Sequence, residues 1–74
     1  MKIVAFATAR ERAGFSELEI AVDPAETARG IVARVAPGLA INDLRAAVDY
    51  EYWDWDAAVG TASELAIIPA VSGG

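Results

Sequence analysis

The arrangement of hydrophobic and polar residues changes several times along the chain. The segment KIVAFAT, residues 2–8, is almost continuously apolar and rich in strand formers, which predicts a central strand covered on both faces. The polar segment ARERAGF predicts a connection that turns at Gly14. In SELEIAV, residues 16–22, apolar and polar positions alternate, which predicts a second strand in an antiparallel hairpin with the first.

The clearest helix signals lie between residues 23 and 38. Asp23 is the predicted N-cap, Pro24 has the preset φ of a first helical position, and Glu26 completes a D-x-x-E capping pattern. Pro37-Gly38 ends the helix. Its apolar residues recur at i, i+3, i+4 and i+7 and predict one buried stripe: Ala28, Ile31, Val32 and Val35.

Two further strands complete the predicted fold. LRAAVDYEYW, residues 44–53, alternates throughout and predicts one strand with Leu44, Ala46, Val48, Tyr50 and Tyr52 on one face. A loop that turns at Gly60 leads to the short apolar strand LAIIP, residues 65–69. Since the first and last strands both look buried, we expect them side by side and parallel in the centre of the sheet. This predicts an α+β domain, a ubiquitin-like β-grasp with a mixed sheet packed on one main helix, over residues 1–70, and a flexible C-terminal diglycine tail over residues 71–74.

Composition narrows the possible functions. The 74 residues include no cysteine and no histidine, which removes the usual parts of a nucleophilic triad and of a cysteine or histidine metal site. We expect no metal site and no bound cofactor. The net charge of −5 disfavours nucleic acid and anionic membranes and favours a basic partner surface. The apolar start is too short for a signal peptide or a membrane span, so we expect a cytoplasmic protein.

The segment DYEYWDWD, residues 49–56, is dense in acidic and aromatic residues. Its four carboxylates could form an acid/base pair or a hard-cation site, but the simpler interpretation is a solvated strand face running into an acidic turn. Trp53 and Trp55 either close the end of a small core or contact a partner. The carboxylates are Asp49, Glu51, Asp54 and Asp56.

The run LAIIPAVSGG holds an apolar strand, a proline stop and a pair of glycines. Two glycines have no Cβ to obstruct a narrow channel, and a C-terminal glycine carries a main-chain carboxylate. Such a tail could reach the active site of another protein. The alternative is a frayed terminus.

Three segments together resemble one family. ELAIIPAVSGG is similar to the C-terminus of the molybdopterin synthase small subunits, MoaD, within the MoaD/ThiS ubiquitin-like sulfur carriers. IVAFATARERAG and AVDYEYWDWD also resemble that family, at its first and third strands. The chain departs from the family pattern in three places. It has Pro69-Ala70 where a Pro-Pro pair is frequent and Asp49 where asparagine is common. The family's usual turn before the last strand has Gly-Asp-Glu in sequence, whereas here two residues separate Gly60 from Ser63-Glu64.

The resemblance implies a sulfur carrier that is a non-catalytic subunit of a sulfurtransferase. An E1-like enzyme would use ATP to adenylate the Gly74 carboxylate, and a sulfur donor would convert it to a thiocarboxylate. The tail would then enter the large subunit of molybdopterin synthase and give sulfur to a cyclic pterin precursor. Gly73 and Gly74 would pass into the partner's active site and carry the sulfur. The remaining candidate residues would contact the partner: Phe6, Ile68, Pro69, Val71 and Ser72.

Three alternatives stay open. The thiamine-pathway sulfur carrier shares the fold and the diglycine end, although PAVSGG favours the molybdopterin branch. A ubiquitin-like modifier is a second possibility, for which the single lysine, Lys2, leaves few ways to build self-linked chains. The third is an inert β-grasp interaction module.

Overall fold

Five strands form one mixed sheet in the structure, a computed structural model that describes residues 1–70. The predicted tail, residues 71–74, lies outside the described residues. The elements in chain order are β1 (Lys2–Ala5), α1 (Ala7–Ala13), β2 (Glu17–Glu19), α2 (Ala28–Val35), β3 (Leu44–Val48), β4 (Glu51–Trp53) and β5 (Glu64–Pro69). The strand order is β2-β1-β5-β3-β4.

The parallel pair at the centre of the sheet confirms the predicted β-grasp. β1 pairs with β5 in parallel, with Ile3 opposite Leu65 and Ala5 opposite Ile67. β2 adds to β1 antiparallel, and β3 and β4 continue antiparallel on the other side of β5. The third place in the order therefore belongs to β5, whose backbone bonds to neighbours on both sides.

One face of the sheet packs against α2. The predicted apolar stripe of this helix is confirmed, because Ala28, Ile31 and Val32 are buried and Val35 is partly buried against the same core. The largest fully buried side chains come from the helix and the central strands: Ile3, Ile31, Leu65 and Ile67. Burial of these apolar side chains is the main source of stability in so small a domain.

The segment predicted as a polar connection is instead a helix. β1 ends at Ala5 rather than at Thr8, Ala7 takes a positive φ of 50°, and α1 runs to Ala13. Ala9 is the fully buried residue of this helix. Gly14 ends the helix in the left-handed region, and its N–H donates to the carbonyl of Arg10. Helix-forming residues before a glycine were the overlooked signal.

The main helix begins four residues later than its capping pattern suggests. Thr27 is the N-cap, and its Oγ1 accepts from the Gly30 N–H at 3.0 Å. Asp23 and Glu26 still accept hydrogen bonds from backbone amides. The Asp23 carboxylate accepts from the Ala25 N–H, and the Glu26 carboxylate accepts from the Asp23 N–H, both at 2.8 Å. The predicted capping residues thus stabilise a turn that precedes the helix.

The predicted third strand is a hairpin of two strands. Asp49 and Tyr50 both have positive φ, 48° and 71°, and form a two-residue turn between β3 and β4. The turn reverses the alternation, so Trp53 lies opposite Ala46 on the core face while Tyr52 lies opposite Ala47 on the other face. The expectation that Tyr50 and Tyr52 share a face with Leu44 is wrong for this reason.

The second face of the sheet carries no covering layer in residues 1–70. Burial along β1 alternates, with Ile3 and Ala5 buried and Lys2 and Val4 only partly so. The prediction that β1 is covered on both faces is therefore wrong, although its central position is confirmed. We call this uncovered side the outer face.

Candidate functional site

A shallow apolar depression lies on the outer face and brings two of the predicted partner-binding residues together. Because β1 and β5 are parallel neighbours, their carboxyl ends meet at the same edge of the sheet. Phe6 follows β1 directly, and its N–H donates to the carbonyl of Ile67 at 3.1 Å, which holds Phe6 beside Ile68. The depression has a volume of about 280 Å³, and its lining, which we call the outer-face patch, comprises Phe6, Ala47, Tyr50, Tyr52, Glu64, Ala66 and Ile68.

The floor of the outer-face patch is set by strand register. Val4, Ala66, Ala47 and Tyr52 lie opposite one another in a row across four strands. Ala47 and Ala66 are small, so the larger side chains around them stand above the floor. Three large hydrophobic side chains of residues 1–70 are exposed, Phe6 at 49%, Tyr50 at 87% and Tyr52 at 73%, and all three line this patch. Exposed apolar area concentrated in one place is typical of a protein contact surface.

The hairpin turn at one edge of the patch is fixed by Asp49. The Oδ1 atom of Asp49 accepts from the N–H groups of Ser63 and Glu64, both at 3.0 Å, and the Asp49 N–H donates to the Glu64 carbonyl. These bonds join the turn to the start of β5. They hold Tyr50 in the left-handed region with its ring in solvent.

Charged side chains lie at both ends of the outer-face patch. At one end, Lys2 Nζ lies 3.4 Å from Glu64 Oε2, and this hydrogen bond raises the pKa of Lys2 above its ordinary value. At the other end, Arg45 lies opposite Ile68, and its guanidinium lies 5.5 Å from the centroid of the Tyr52 ring.

The remaining predicted contact residues divide between the sheet and the tail. Pro69 pairs with Leu44, whose side chain is buried in the core, so Pro69 lies on the opposite side of the sheet from Ile68. The Ala70 N–H donates to the Asp43 carbonyl at 2.8 Å and keeps the end of β5 on the sheet. The others lie outside the described residues: Val71, Ser72, Gly73 and Gly74.

The acidic segment forms local contacts rather than one cluster. Asp54 accepts from the Asp56 N–H at 2.8 Å, and Asp56 pairs with Arg29 across a Nε–Oδ1 distance of 2.6 Å. The hydrogen bond from Arg29 lowers the pKa of Asp56. With Asp49 bound to backbone amides, three of the four carboxylates have structural partners, and residues 1–70 contain no group of three acidic side chains placed to hold a metal ion.

The two tryptophans close the core. Trp53 and Trp55 are partly buried and pack against the core cluster. Trp53 Nε1 donates to the Ala57 carbonyl at 3.2 Å, and Trp55 Nε1 donates to the Leu44 carbonyl at 3.4 Å. Of the two roles considered from sequence, the core role is the one that these contacts support.

Comparison with known proteins decides the family. The sequence profile of the ThiS family matches residues 3–74. The chain belongs to the ThiS family. It is therefore one of the ThiS/MoaD ubiquitin-like sulfur carriers.

Solved structures similar to this ThiS-family chain have the same fold. SAMP1 from Haloferax volcanii has a TM-score of 0.72 at 23% identity, covering 99% of this chain and 97% of that one. A second Haloferax volcanii structure, of small archaeal modifier protein 1, has a TM-score of 0.71 at 20% identity, with 95% of each chain covered. A protein described as a candidate molybdopterin converting factor subunit 1 from Pyrococcus furiosus gives 0.70 at 23% identity, again with 95% of each covered.

Neither helix in residues 1–70 is long and apolar enough to cross a membrane.

Sequence reasoning found only part of the outer-face patch. It selected Phe6 and Ile68 but missed Tyr50, Tyr52 and the alanine floor, because a single long strand would place both tyrosines on the core face. The available signal was Asp49, a residue type common in turns, in the middle of an alternating run of ten residues.

Proposed function

We propose that this protein is a sulfur carrier and the small subunit of a molybdopterin synthase, with its sulfur carried at Gly74. The observation that carries the proposal is the ThiS-family match, which extends over the strand β5 and through Gly73-Gly74. The likeness to the Pyrococcus furiosus protein is consistent with the molybdopterin branch.

The chemistry follows from the poor reactivity of a carboxylate as an acyl donor. An E1-like enzyme joins the Gly74 carboxylate to the α-phosphate of ATP, and pyrophosphate leaves. Hydrosulfide, delivered by a sulfur donor, then forms a C–S bond at the same carbonyl carbon, and AMP leaves with the electron pair of the broken C–O bond. Both steps are substitutions, so they consume no oxidant or reductant.

Transfer returns the carrier to its starting state. The thiocarboxylate sulfur bonds to a carbon of the cyclic pterin precursor as an oxygen substituent leaves, and water hydrolyses the resulting thioester. Each sulfur of the dithiolene uses one charged carrier. The protein supplies no acid or base in this scheme, and ATP serves the activating enzyme rather than being held by the carrier.

Two parts of the chain divide the work in this proposal. Gly73 and Gly74 thread into the partner active site, with Val71 and Ser72 lining the opening, while Phe6 and Ile68 dock the globular domain. Pro69, the last residue of β5, is the remaining partner contact in this proposal. The exposed rings of the outer-face patch support a docking role for this side of the domain.

Intact mass measured after incubation with ATP, an E1-like adenylating enzyme and a sulfur source tests the proposal. We expect a gain equal to the replacement of one oxygen by sulfur, and no gain after deletion of Gly74. The large subunit with the cyclic pterin precursor should then convert the charged protein back to its original mass and yield a dithiolene product. Failure to gain sulfur, with the enzyme active on its own carrier, would overturn the sulfur-carrier role.

Threading is tested separately with Gly73→Val. The added side chain should block transfer because a β-branched residue does not pass where glycine does. Ala33→Val, at an exposed position of α2, also creates a β-branched valine but far from the tail, and it should transfer normally. Normal transfer by Gly73→Val would contradict the threading model.

The alternative functions have distinct readouts. A thiamine-pathway carrier would give its sulfur to the thiazole-forming system rather than to the pterin. A modifier, the role for which small archaeal modifier protein 1 of Haloferax volcanii is named, would give a covalent ladder of conjugates in lysate. Self-linked chains are disfavoured because Lys2 is the single lysine of the sequence. An inert module would bind its partner fully without Gly73 and Gly74.

A further inference from the structure

Tyr50 is held in a conformation that its own chemistry disfavours. Its φ of 71° lies in the left-handed region, where a bulky residue is strained and glycine or asparagine is preferred. The ring is 87% exposed, so contacts within residues 1–70 bury little of it and do not offset the strain. The bonds from Asp49 to the start of β5 keep the turn in place instead. Strained positions maintained by their surroundings are concentrated at binding sites.

Arg45 differs from most cations of this chain. In the part of the chain that the structure describes, four of the six lysine and arginine residues lie in ion pairs: Lys2, Arg12, Arg29 and Arg34. Within residues 1–70, Arg45 lies within ion-pair distance of no carboxylate. Its guanidinium lies over the Tyr52 ring, 5.5 Å from the centroid, at the end of the outer-face patch, opposite Ile68.

Tyr50 and Arg45 lie on the same face of the sheet, so a partner that covers this face contacts both side chains. A protein that covers the outer-face patch removes water from the Tyr50 ring and from the Arg45 guanidinium together. Burial of the ring favours binding, whereas burial of an unpaired guanidinium opposes it unless the partner provides a carboxylate. We propose that the outer-face patch docks a protein partner that has an apolar cleft for Tyr50 and a carboxylate opposite Arg45.

This inference rests on the proposed function, since the partner in question is the E1-like enzyme that charges the tail. The overall charge of −5 favours a basic partner surface, so the carboxylate opposite Arg45 is a local exception within it. That exception gives the partner a means of recognising this carrier, because a related carrier with an apolar residue there would leave the carboxylate unpaired.

Tyr50→Gly provides a test in which stability and binding change differently. Glycine relieves the left-handed strain, so we expect a melting temperature equal to that of the wild type or up to about 4 °C higher. Binding to the E1-like enzyme of the charging assay, measured by calorimetry, should weaken by about tenfold or more because the anchor is lost. Tyr50→Phe keeps the ring and should bind within about twofold of the wild type.

The charge is tested with Arg45→Glu against Arg10→Glu. Arg10 is also exposed and also lies outside the ion pairs of residues 1–70, so both variants change the net charge equally. Arg45→Glu should weaken binding by about tenfold or more, while Arg10→Glu should change it by less than about threefold. Arg45→Gln should weaken binding by an intermediate factor, and added salt should not weaken the binding of this variant further.

Binding and charging are read separately, so the two proposals can fail independently. Wild-type protein that binds but gains no sulfur overturns the proposed function and leaves the docking surface standing if the variants weaken binding. Wild-type protein that gains sulfur while Tyr50→Gly binds equally well overturns the anchor. Equal losses for Arg45→Glu and Arg10→Glu overturn the carboxylate contact. No binding by the wild type overturns the docking surface, and the sulfur gain alone then decides the proposed function.

Discussion

Replacing Asp49 by alanine should destabilise the domain, although Asp49 is exposed. Its Oδ1 atom accepts from two N–H groups at the start of β5, those of Ser63 and Glu64. Alanine removes the acceptor and leaves a methyl group in a residue with φ of 48°. Asparagine keeps a side-chain oxygen that can accept both bonds, and it tolerates the left-handed region as well as aspartate does.

The expected loss of stability comes from the missing hydrogen-bond acceptor and from placing alanine in the left-handed region. A hydrogen bond contributes about 1 kcal/mol net, and alanine in the left-handed region costs roughly 1 kcal/mol more than asparagine or aspartate. Water replaces part of what is lost, because the Asp49 bonds lie at the surface. We therefore expect Asp49→Ala to lower the free energy of unfolding by about 1.5 kcal/mol, and the melting temperature by about 6–12 °C.

Urea and thermal unfolding followed by tryptophan fluorescence will measure this difference, since Trp53 and Trp55 are partly buried and report on core packing. Asp49→Asn should unfold within about 0.5 kcal/mol of the wild type. Wild-type stability of Asp49→Ala would refute the reasoning. An equal loss in Asp49→Asn would also refute it, because the contribution would then come from the negative charge and not from the acceptor geometry.

Three further outcomes follow from the described contacts. Ile67→Val should cost about 1 kcal/mol and Ile67→Ala about 3–4 kcal/mol, because Ile67 is fully buried in the central strand, and chemical denaturation will check both. Thr27→Ala should cost about 1 kcal/mol by removing the N-cap of α2, whereas Thr27→Ser should be nearly neutral; equal losses would point to the lost methyl group instead. Carbon-13 titration should place the pKa of Asp56 below its ordinary 3.8, with Arg29→Gln raising it. Because the folded pKa is lowered, the ion pair stabilises the fold above pH 3.8 and this contribution disappears as the pH falls through the folded pKa.

The sequence patterns predicted the central part of the fold because apolar burial determines it. The apolar runs at the two ends of the domain indicated the parallel pair of β1 and β5, and the i, i+3, i+4, i+7 stripe identified the buried face of α2. These signals depend on a local period and on burial, which a single sequence displays directly.

The misplaced elements depend on interactions that a local pattern does not contain. The turn at Asp49 and Tyr50 lacks glycine and exists because Asp49 bonds to Ser63 and to Glu64, the first residue of β5, fourteen and fifteen positions further along the chain. The short helix α1 has one fully buried alanine, Ala9, and therefore shows little amphipathic pattern. The outer-face patch needs both the corrected register of β4 and the absence of a second layer, so only Phe6 and Ile68 were found.

The place of β5 between β1 and β3 also determines the order in which the protein can fold during its synthesis. Ile3 of β1 pairs with Leu65 of β5, and β3 pairs with the opposite side of β5, so neither β1 nor β3 can join the sheet before β5 is available. A nascent chain that has not released residue 69 from the ribosome can form α2 and the β3–β4 hairpin but has no centre for its sheet. We expect folding to be delayed until synthesis of the domain is finished and to be slow for a chain of this size, because its central contacts join distant residues. During that interval the apolar strands are exposed, and nascent chains that have not released β5 from the ribosome should bind chaperones that released chains do not.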